Sequence, residues 1–140
     1  MDWKVSPEPV EYNEAVAFME KRVADIRAGD EDNLIWALEH PHLYTAGTSA
    51  KETDLIHAKF PVYQSGRGGQ YTYHGPGQRI YYLMYNLKDM FQVPDIKKYI
   101  WTLEELVILS LSDFGLSGER RDGFLFEYLL CLYYRTSGFH

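Results

Sequence analysis

The sequence contains little cysteine and no excess of positive charge. Cys131 is the only cysteine in the 140 residues, so a framework of internal disulfides is excluded. The formal net charge is −6 at pH 7, which provides no basic stripe of the kind that binds nucleic acid. We therefore expect a protein without disulfides and without a nucleic-acid partner.

Long apolar runs and targeting signals are also missing. The first residues lack the basic and apolar regions of a secretory signal peptide. The most apolar stretch, residues 124–134, is shorter than the about twenty residues that span a bilayer. These features predict a cytoplasmic protein that makes no membrane contact.

The apolar tail, residues 124–140, allows three interpretations: a buried terminal helix, a shortened or frame-shifted end, or a membrane anchor. Its apolar run shows neither a two-residue alternation nor a polar helical face. An amphipathic anchor would carry lysine or arginine along one side. We favour the shortened or frame-shifted end, with a core helix as the alternative.

A glycine-rich stretch, residues 65–78, is the most informative feature that the sequence does contain. It holds five of the eleven glycines, with Arg67 and His74 between them. Glycine reaches positive φ at no steric cost, so such a backbone can approach a ligand closely and present N–H donors. Neither the Walker pattern nor the dinucleotide fingerprint fits the stretch, which predicts a binding loop for a different ligand.

Apolar periodicity and breaker residues predict an α+β fold in which helices pack on a mixed β-sheet. A helix is predicted over Tyr12–Ala28, ended by Gly29, because apolar residues recur there at intervals of three and four. A second helix is predicted over residues 95–114, ended by Gly115. The predicted strands cover residues 3–6, 33–38, 62–64, 70–73 and 79–87.

Residues 67–78, which read RGGQYTYHGPGQ, resemble the signature of the lipoyl(octanoyl) transferase family, the LipB-type lipoate-protein ligases. Residues 38–47 and 118–123 agree with the same family and occur in its order. The resemblance implies a catalytic domain of the biotin/lipoate-protein ligase type, incomplete at the C-terminus. Residues 1–123 would be the N-terminal part of that domain, and residues 124–140 a divergent apolar tail.

The resemblance also implies an activity and its partners. A family member takes an octanoyl group from acyl carrier protein and transfers it, through a cysteine thioester, to a lysine of a lipoyl domain. The expected acceptors are the lipoyl domains of 2-oxoacid dehydrogenases and the glycine-cleavage H protein. No cofactor is expected.

The family's catalytic lysine and cysteine have no counterpart in this sequence. No lysine follows Lys98, and Cys131 lies in an apolar run that would raise the pKa of its thiol. We therefore expect no catalytic residue in this chain and an inactive protein, while the pocket for the acyl group is retained. The alternative to an octanoyltransferase is a non-catalytic acyl-binding remnant of one.

By resemblance, residues 67–74 form the segment that binds the acyl group. Arg67 is predicted to bind a carboxylate or carbonyl oxygen, with a surface ion pair as the alternative. His74 is predicted to orient the thioester, or else to fix the loop to the sheet. Valine at Gly68 or Gly69 should block binding. The predicted substrate-binding residues are Arg67, Gly68, Gly69, Gln70, Tyr71, Thr72, Tyr73 and His74.

Two questions stay open at the level of the sequence. Tyr71 and Tyr73 alternate with Gln70 and Thr72, so one pair faces the ligand and the other the core, but the pattern does not say which. Four histidines raise the idea of a metal site, which proline within His-Pro-His and the lack of a nearby acidic partner disfavour. We expect no metal. These histidines are His40, His42, His57 and His74.

Overall fold

The computed structural model describes residues 1–120 and 131–133, and the chain divides into two compact units. Of the described residues, 1–84 and 131–133 belong to the first unit and 85–120 to the second. In chain order, the first unit contains β1 (Asp2–Val5), α1 (Tyr12–Ala28), β2 (Leu34–Leu38), β3 (Leu43–Ala46), β4 (Val62–Gln64), β5 (Tyr71–His74), β6 (Gln78–Met84) and β7 (Cys131–Tyr133). The second unit contains α2 (Leu87–Met90) and α3 (Ile96–Asp113).

The strands of the first unit form two mixed sheets. One has the order β1-β2-β6-β7, in which β1 runs parallel to β2 and the other pairs are antiparallel. The other has the order β4-β3-β5, in which β3 is parallel to β4 and antiparallel to β5. The predicted α+β class with mixed sheets is confirmed. The prediction of a single sheet is wrong, because the strands divide between two sheets: β3 lies between β4 and β5, and β6 pairs with β2.

Helix α1 supplies the apolar layer that covers the first sheet. Its bounds are those predicted, and Gly29 ends it in the left-handed conformation at φ 85°. Only glycine adopts this geometry without strain, which explains why the helix stops there. The core cluster combines helix and strand residues, namely Ala15, Ile26, Leu34, Trp36, Leu38, Ile80 and Met84.

The second unit is built around α3. The carboxylate of Asp95 accepts a hydrogen bond from the Lys98 N–H at 3.0 Å and so caps the first turn. Gly115 follows the helix with φ 73°, as predicted. Ile100 of this helix is buried, whereas Ile96 in its first turn and Phe114 just after its last turn are exposed.

The structure corrects two boundaries near these elements. The predicted strand over residues 79–87 ends at Met84, because the Asn86 side chain caps α2 by accepting from the Lys88 N–H at 3.1 Å. Strand β3 was not predicted. Across the described residues, no helix has the length and apolar character required to cross a bilayer.

Candidate functional site

The glycine loop, residues 65–70, joins β4 to β5 and lies along the chain that leaves β3. Four backbone hydrogen bonds hold it there: Ser65 N–H to the Ala46 carbonyl at 2.9 Å, Gly47 N–H to the Gln70 carbonyl at 3.1 Å, Thr48 N–H to the Arg67 carbonyl at 2.9 Å, and Ser49 N–H to the Gly69 carbonyl at 3.1 Å. The loop is therefore tied to the end of β3 along its whole length.

Gly47 makes this close approach sterically accessible. It is buried, and a Cβ atom at this position would lie 2.8 Å from the Gly68 carbonyl oxygen and would overlap that of Gly69. Both obstacles are backbone atoms, which cannot rotate away as the end of a side chain can. Only glycine at position 47 therefore lets the loop lie against β3.

The direction of the loop's peptide groups follows from these bonds. The carbonyl of Arg67 accepts from Thr48, and the carbonyl of Gly68 accepts from the Arg67 side chain. In a trans peptide the N–H points opposite to the preceding carbonyl, and the described peptides include no cis bond. The N–H groups of Gly68 and Gly69 therefore point away from the protein segment that holds the loop.

These two neighbouring N–H groups meet no acceptor within the described residues. A Cβ atom on Gly68 would contact nothing within 4 Å, so this side of the loop borders open space. Two adjacent backbone donors with no internal partner can bind an oxygen atom that carries partial negative charge, such as a carbonyl oxygen.

The Arg67 side chain turns inward rather than toward this open side. Its Nη1 donates to the Gly68 carbonyl at 2.9 Å, and its Nη2 lies 3.0 Å from the Gln70 carbonyl. Nη2 also lies 3.1 Å from the carbonyl and 3.0 Å from the hydroxyl of Thr45, and 2.7 Å from the Thr72 hydroxyl. We call these contacts the Arg67 network; no carboxylate belongs to it in the described part of the chain.

His74 continues this network on the same face of β5. Its Nδ1 lies 2.8 Å from the Gln78 side-chain oxygen. The orientation of that amide follows from its nitrogen, which lies 3.4 Å from the Tyr73 carbonyl and donates to it. Nδ1 must then carry the proton, which leaves Nε2 to accept from the Thr45 hydroxyl at 3.3 Å. Burial is the largest cause that lowers the pKa of His74, and the nearby Arg67 charge acts in the same direction.

The other face of the β3–β5 pair is aromatic. Tyr44 lies opposite Tyr73 in the register, with their ring centroids 5.8 Å apart. The Phe60 ring stacks on His42 at 4.6 Å, and His42 Nδ1 lies 2.6 Å from the Tyr73 hydroxyl. The alternating residues of the motif thus lie on opposite faces of β5. Thr72 belongs to the Arg67 network, whereas Tyr73, which is 38% exposed, lies on the outer face.

The glycine turn, residues 75–78, carries the chain from β5 to β6. Gly77 has φ 86° and the Gln78 N–H donates to the Gly75 carbonyl at 3.1 Å, as in a type II turn. Glu39 accepts from the Gly77 N–H at 2.9 Å. Gly75 is buried, and a Cβ atom there would overlap the Tyr73 ring. These glycines serve packing and chain reversal.

Of the other histidines, His40 lies beside the site, with its ring centroid 6.2 Å from that of His74. His40 is fully buried, with Nδ1 2.6 Å from the Val10 carbonyl and Nε2 2.8 Å from the Tyr82 hydroxyl. Burial is the largest cause of the shift in the pKa of His40, which it lowers. The described residues contain no group of three potential metal ligands among histidine, cysteine, aspartate and glutamate. The backbone of Cys131 pairs with Ile80 at the β6–β7 edge.

Sequence reasoning missed the contribution of β3. Thr45 is 2% exposed and links Arg67 to His74, while Gly47 supports the loop. Both lie in residues 38–47, the segment that carries part of the family resemblance, so a signal for them was present. The predicted contacts of Arg67, His74 and the other motif residues with an acyl group remain predictions.

Comparison with protein families gives a match over most of the chain. The model of the lipoyl protein ligase A/B catalytic domain matches residues 11–134, a range that includes the glycine loop, the Arg67 network and the glycine turn.

Curated relatives agree with this match. An octanoyltransferase of Bradyrhizobium diazoefficiens is 52% identical over 122 residues, which cover 87% of this chain and 48% of the relative. Octanoyltransferases of Paramagnetospirillum magneticum and Parvibaculum lavamentivorans are 52% and 54% identical, covering 88% and 86% of this chain and 58% and 53% of the relatives. The chain thus spans about half the length of the curated relatives it matches.

Solved structures resemble the fold at low sequence identity. A Thermoplasma acidophilum protein described as a lipoate protein ligase, with bound lipoic acid, has a TM-score of 0.58 at 18% identity and covers 86% of this chain and 52% of its own. A lipoate-protein ligase A bound with ATP has a TM-score of 0.54 at 17% identity, covering 87% and 52%. The predicted type of fold and the LipB-type resemblance are confirmed.

Proposed function

This chain belongs to the family of lipoyl protein ligase A/B catalytic domains, and on that premise we propose that it acts in octanoyl transfer during lipoate biosynthesis. The reaction moves an octanoyl group from the thioester of acyl carrier protein to the ε-amine of a lysine on a lipoyl domain. The identity of about half of the aligned residues with octanoyltransferases supports this choice within the family. We assign the activity to the cytoplasm.

We propose two partners. The donor is octanoyl acyl carrier protein, and the acceptors are lipoyl domains of 2-oxoacid dehydrogenases and the glycine-cleavage H protein. A structural neighbour from Thermoplasma acidophilum is described as a bipartite lipoate protein ligase together with its E2 lipoyl domain, which supports an acceptor of this class.

The observation that carries the proposal is the pair of outward N–H groups at Gly68 and Gly69. A thioester carbonyl presents one oxygen with partial negative charge, and two adjacent backbone donors match that oxygen without needing a charged side chain. The Arg67 guanidinium supports the loop from behind by donating to the Gly68 carbonyl. In this proposal the loop binds and orients the acyl carbonyl.

The chemistry requires a nucleophile as well as an acyl site. In the proposed reaction a cysteine thiolate attacks the thioester, the carrier thiol leaves, and the lysine amine then displaces the cysteine from the acyl-enzyme. The loop would polarise the carbonyl in both steps. Its proposed role in this chain is substrate binding.

A calorimetric titration tests the proposal directly. Octanoyl acyl carrier protein should bind the chain at least about tenfold more tightly than the unacylated carrier, a difference of about 1.4 kcal/mol. Equal affinity for the two carriers, or no binding of either, would contradict the proposal.

Intact mass measurement on the same mixture distinguishes an octanoyltransferase from an acyl-binding domain. A mass increase of one octanoyl group that maps to Cys131 would identify that cysteine as a nucleophile. Tight binding without any mass increase would instead support the alternative of an acyl-binding domain that lacks its own nucleophile.

A further inference from the structure

We infer that Arg67 is a positioning residue, which holds the glycine loop against β3 and β5 so that the Gly68 and Gly69 N–H groups face outward. What the loop binds rests on the proposed function, but the positioning itself rests on contacts within the protein. The inference departs from the sequence-based prediction, which placed the guanidinium on the ligand.

The first argument is the number of chain segments that one guanidinium joins. Its acceptors belong to the loop, to β3 and to β5, and include the Gly68 and Gln70 carbonyls, the carbonyl and hydroxyl of Thr45, and the Thr72 hydroxyl. A planar guanidinium carries its donors on separate nitrogens in a fixed fork, here Nη1 toward Gly68 and Nη2 toward the other acceptors, whereas an ammonium group carries its three donors on a single nitrogen. The arrangement therefore requires arginine rather than positive charge alone.

The second argument concerns peptide direction. By donating to the Gly68 carbonyl, Arg67 fixes the plane of the Gly68–Gly69 peptide and so aims the Gly69 N–H away from itself. The Thr48 N–H fixes the preceding peptide in the same sense through the Arg67 carbonyl. Glycine has no Cβ to restrict its backbone, so without these two bonds the loop could rotate its donors elsewhere.

The third argument is the link to His74. Arg67 Nη2 donates to the Thr45 hydroxyl, so the proton of that hydroxyl is left to point at His74 Nε2. This order of donors keeps the ring neutral, with its proton on Nδ1 toward Gln78. Arg67 thus acts on His74 through Thr45, without direct contact.

Amide hydrogen exchange of the full chain tests the inference without any ligand. Arg67→Met should increase the exchange of the Thr48 and Ser49 amides, which donate to loop carbonyls, by about tenfold or more. Arg27→Met is the matched control, since Arg27 is exposed in the last turn of α1, and it should leave both amides unchanged. Exchange of Thr48 and Ser49 within about twofold of wild type in Arg67→Met would overturn the inference.

Arg67→Lys and Thr45→Val make the test specific. Lysine keeps the charge but not the forked donors, so Arg67→Lys should also speed the exchange of the Thr48 and Ser49 amides. Exchange at the wild-type rate in that variant would overturn the geometric argument. Thr45→Val should alter the ¹⁵N signals of His74, which report its tautomer, while Thr48 and Ser49 stay protected. Unaltered His74 signals would contradict the proposed link from Arg67 through Thr45 to His74.

Binding of octanoyl acyl carrier protein to the same variants separates the two proposals. Arg67→Met should weaken binding by about tenfold along with the loss of amide protection. If the wild-type chain does not bind this carrier, the proposed function fails, whereas the exchange results still decide the role of Arg67. Lost binding with intact protection in Arg67→Met would mean that the guanidinium touches the ligand, which overturns the inference.

Discussion

The glycine loop, residues 65–70, and the glycine turn, residues 75–78, belong to one sequence motif but use glycine for different reasons. In the loop, a Cβ atom on Gly66 or Gly68 would contact nothing within 4 Å, so the absence of a side chain leaves space outside the protein. In the turn, Gly75 is covered by the Tyr73 ring. Each stretch also contains one glycine with a positive φ, Gly69 at 87° in the loop and Gly77 at 86° in the turn. A run of glycines is therefore not by itself a run of ligand contacts.

The supports of the two stretches differ as well. The loop lies against Gly47 and is held from behind by Arg67, whereas the turn is held by the Glu39 carboxylate through the Gly77 N–H at 2.9 Å. His74 connects them, because it contacts Thr45 on the loop side and Gln78 in the turn. The comparison predicts which substitutions harm folding and which harm binding.

The largest effect should come from Gly47→Ala, which introduces a methyl group against the backbone carbonyls of Gly68 and Gly69. We expect a loss of about 3 kcal/mol in the free energy of unfolding, measured by urea denaturation, because overpacking against backbone has no cheap relief. Gly68→Ala is the control and should stay within about 0.5 kcal/mol of wild type. Equal stability of the two variants would contradict the described packing of the loop.

Gly75→Ala should destabilise by about 2 kcal/mol, because its methyl group would overlap the Tyr73 ring and lie 2.9 Å from His42 Nδ1. Gly77→Ala, which has space for a methyl group but a φ of 86°, should cost about 1 kcal/mol. Thermal or urea unfolding of both variants measures the difference. A greater loss for Gly77→Ala than for Gly75→Ala would reverse the assigned roles of the two glycines.

Gly68→Val should weaken binding of octanoyl acyl carrier protein by about tenfold, or about 1.4 kcal/mol, while leaving the melting temperature unchanged. Its Cβ atom would meet no protein atom within 4 Å, and its methyl groups would extend into the space next to the two outward donors. Gly66→Val is the matched control, since a Cβ there also meets nothing within 4 Å, and it should lose less than about threefold. Equal losses of affinity in the two variants would contradict the proposal that the acyl group binds at the N–H donors of Gly68 and Gly69.

The smallest effect should come from pH. Burial lowers the pKa of both His74 and His40 in the folded protein, so the unfolded chain binds more protons at mildly acidic pH. Their contribution to stability is therefore complete above the unfolded pKa of about 6.5 and is lost as the pH falls through the folded values. His74→Gln should flatten the dependence of the unfolding free energy on pH as the pH falls below about 6.5. Parallel curves for variant and wild type would contradict this.

Local signals were sufficient for α1 and, to within one residue at each end, for α3, but not for α2. The spacing of apolar residues and the position of Gly29 predicted α1 with its observed bounds, because both the stripe and the stop are encoded within one segment. Strand β3, in contrast, has four residues and follows His-Pro-His, where the proline keeps the preceding residue out of a helical conformation. Its identity as a strand depends on pairing with β4 and β5, which lie later in the chain.

The role of Arg67 could not be read locally for the same reason. A glycine-flanked arginine predicts ligand contact, but its acceptor Thr45 lies 22 positions earlier and reaches it only through the fold. The pairing of Thr45 with Thr72 creates a polar face that accepts the guanidinium. The alternation of Tyr71 and Tyr73 with Gln70 and Thr72 was predicted, whereas the assignment of its two faces required the position of β3.

The most direct test of the central claim is a ¹H–¹⁵N spectrum of the chain titrated with octanoyl acyl carrier protein and, separately, with the unacylated carrier. If the Gly68 and Gly69 N–H groups bind the acyl carbonyl oxygen, their amide protons should shift downfield with the octanoyl form and stay in place with the unacylated form. Unchanged Gly68 and Gly69 signals under saturating octanoyl carrier would contradict the account.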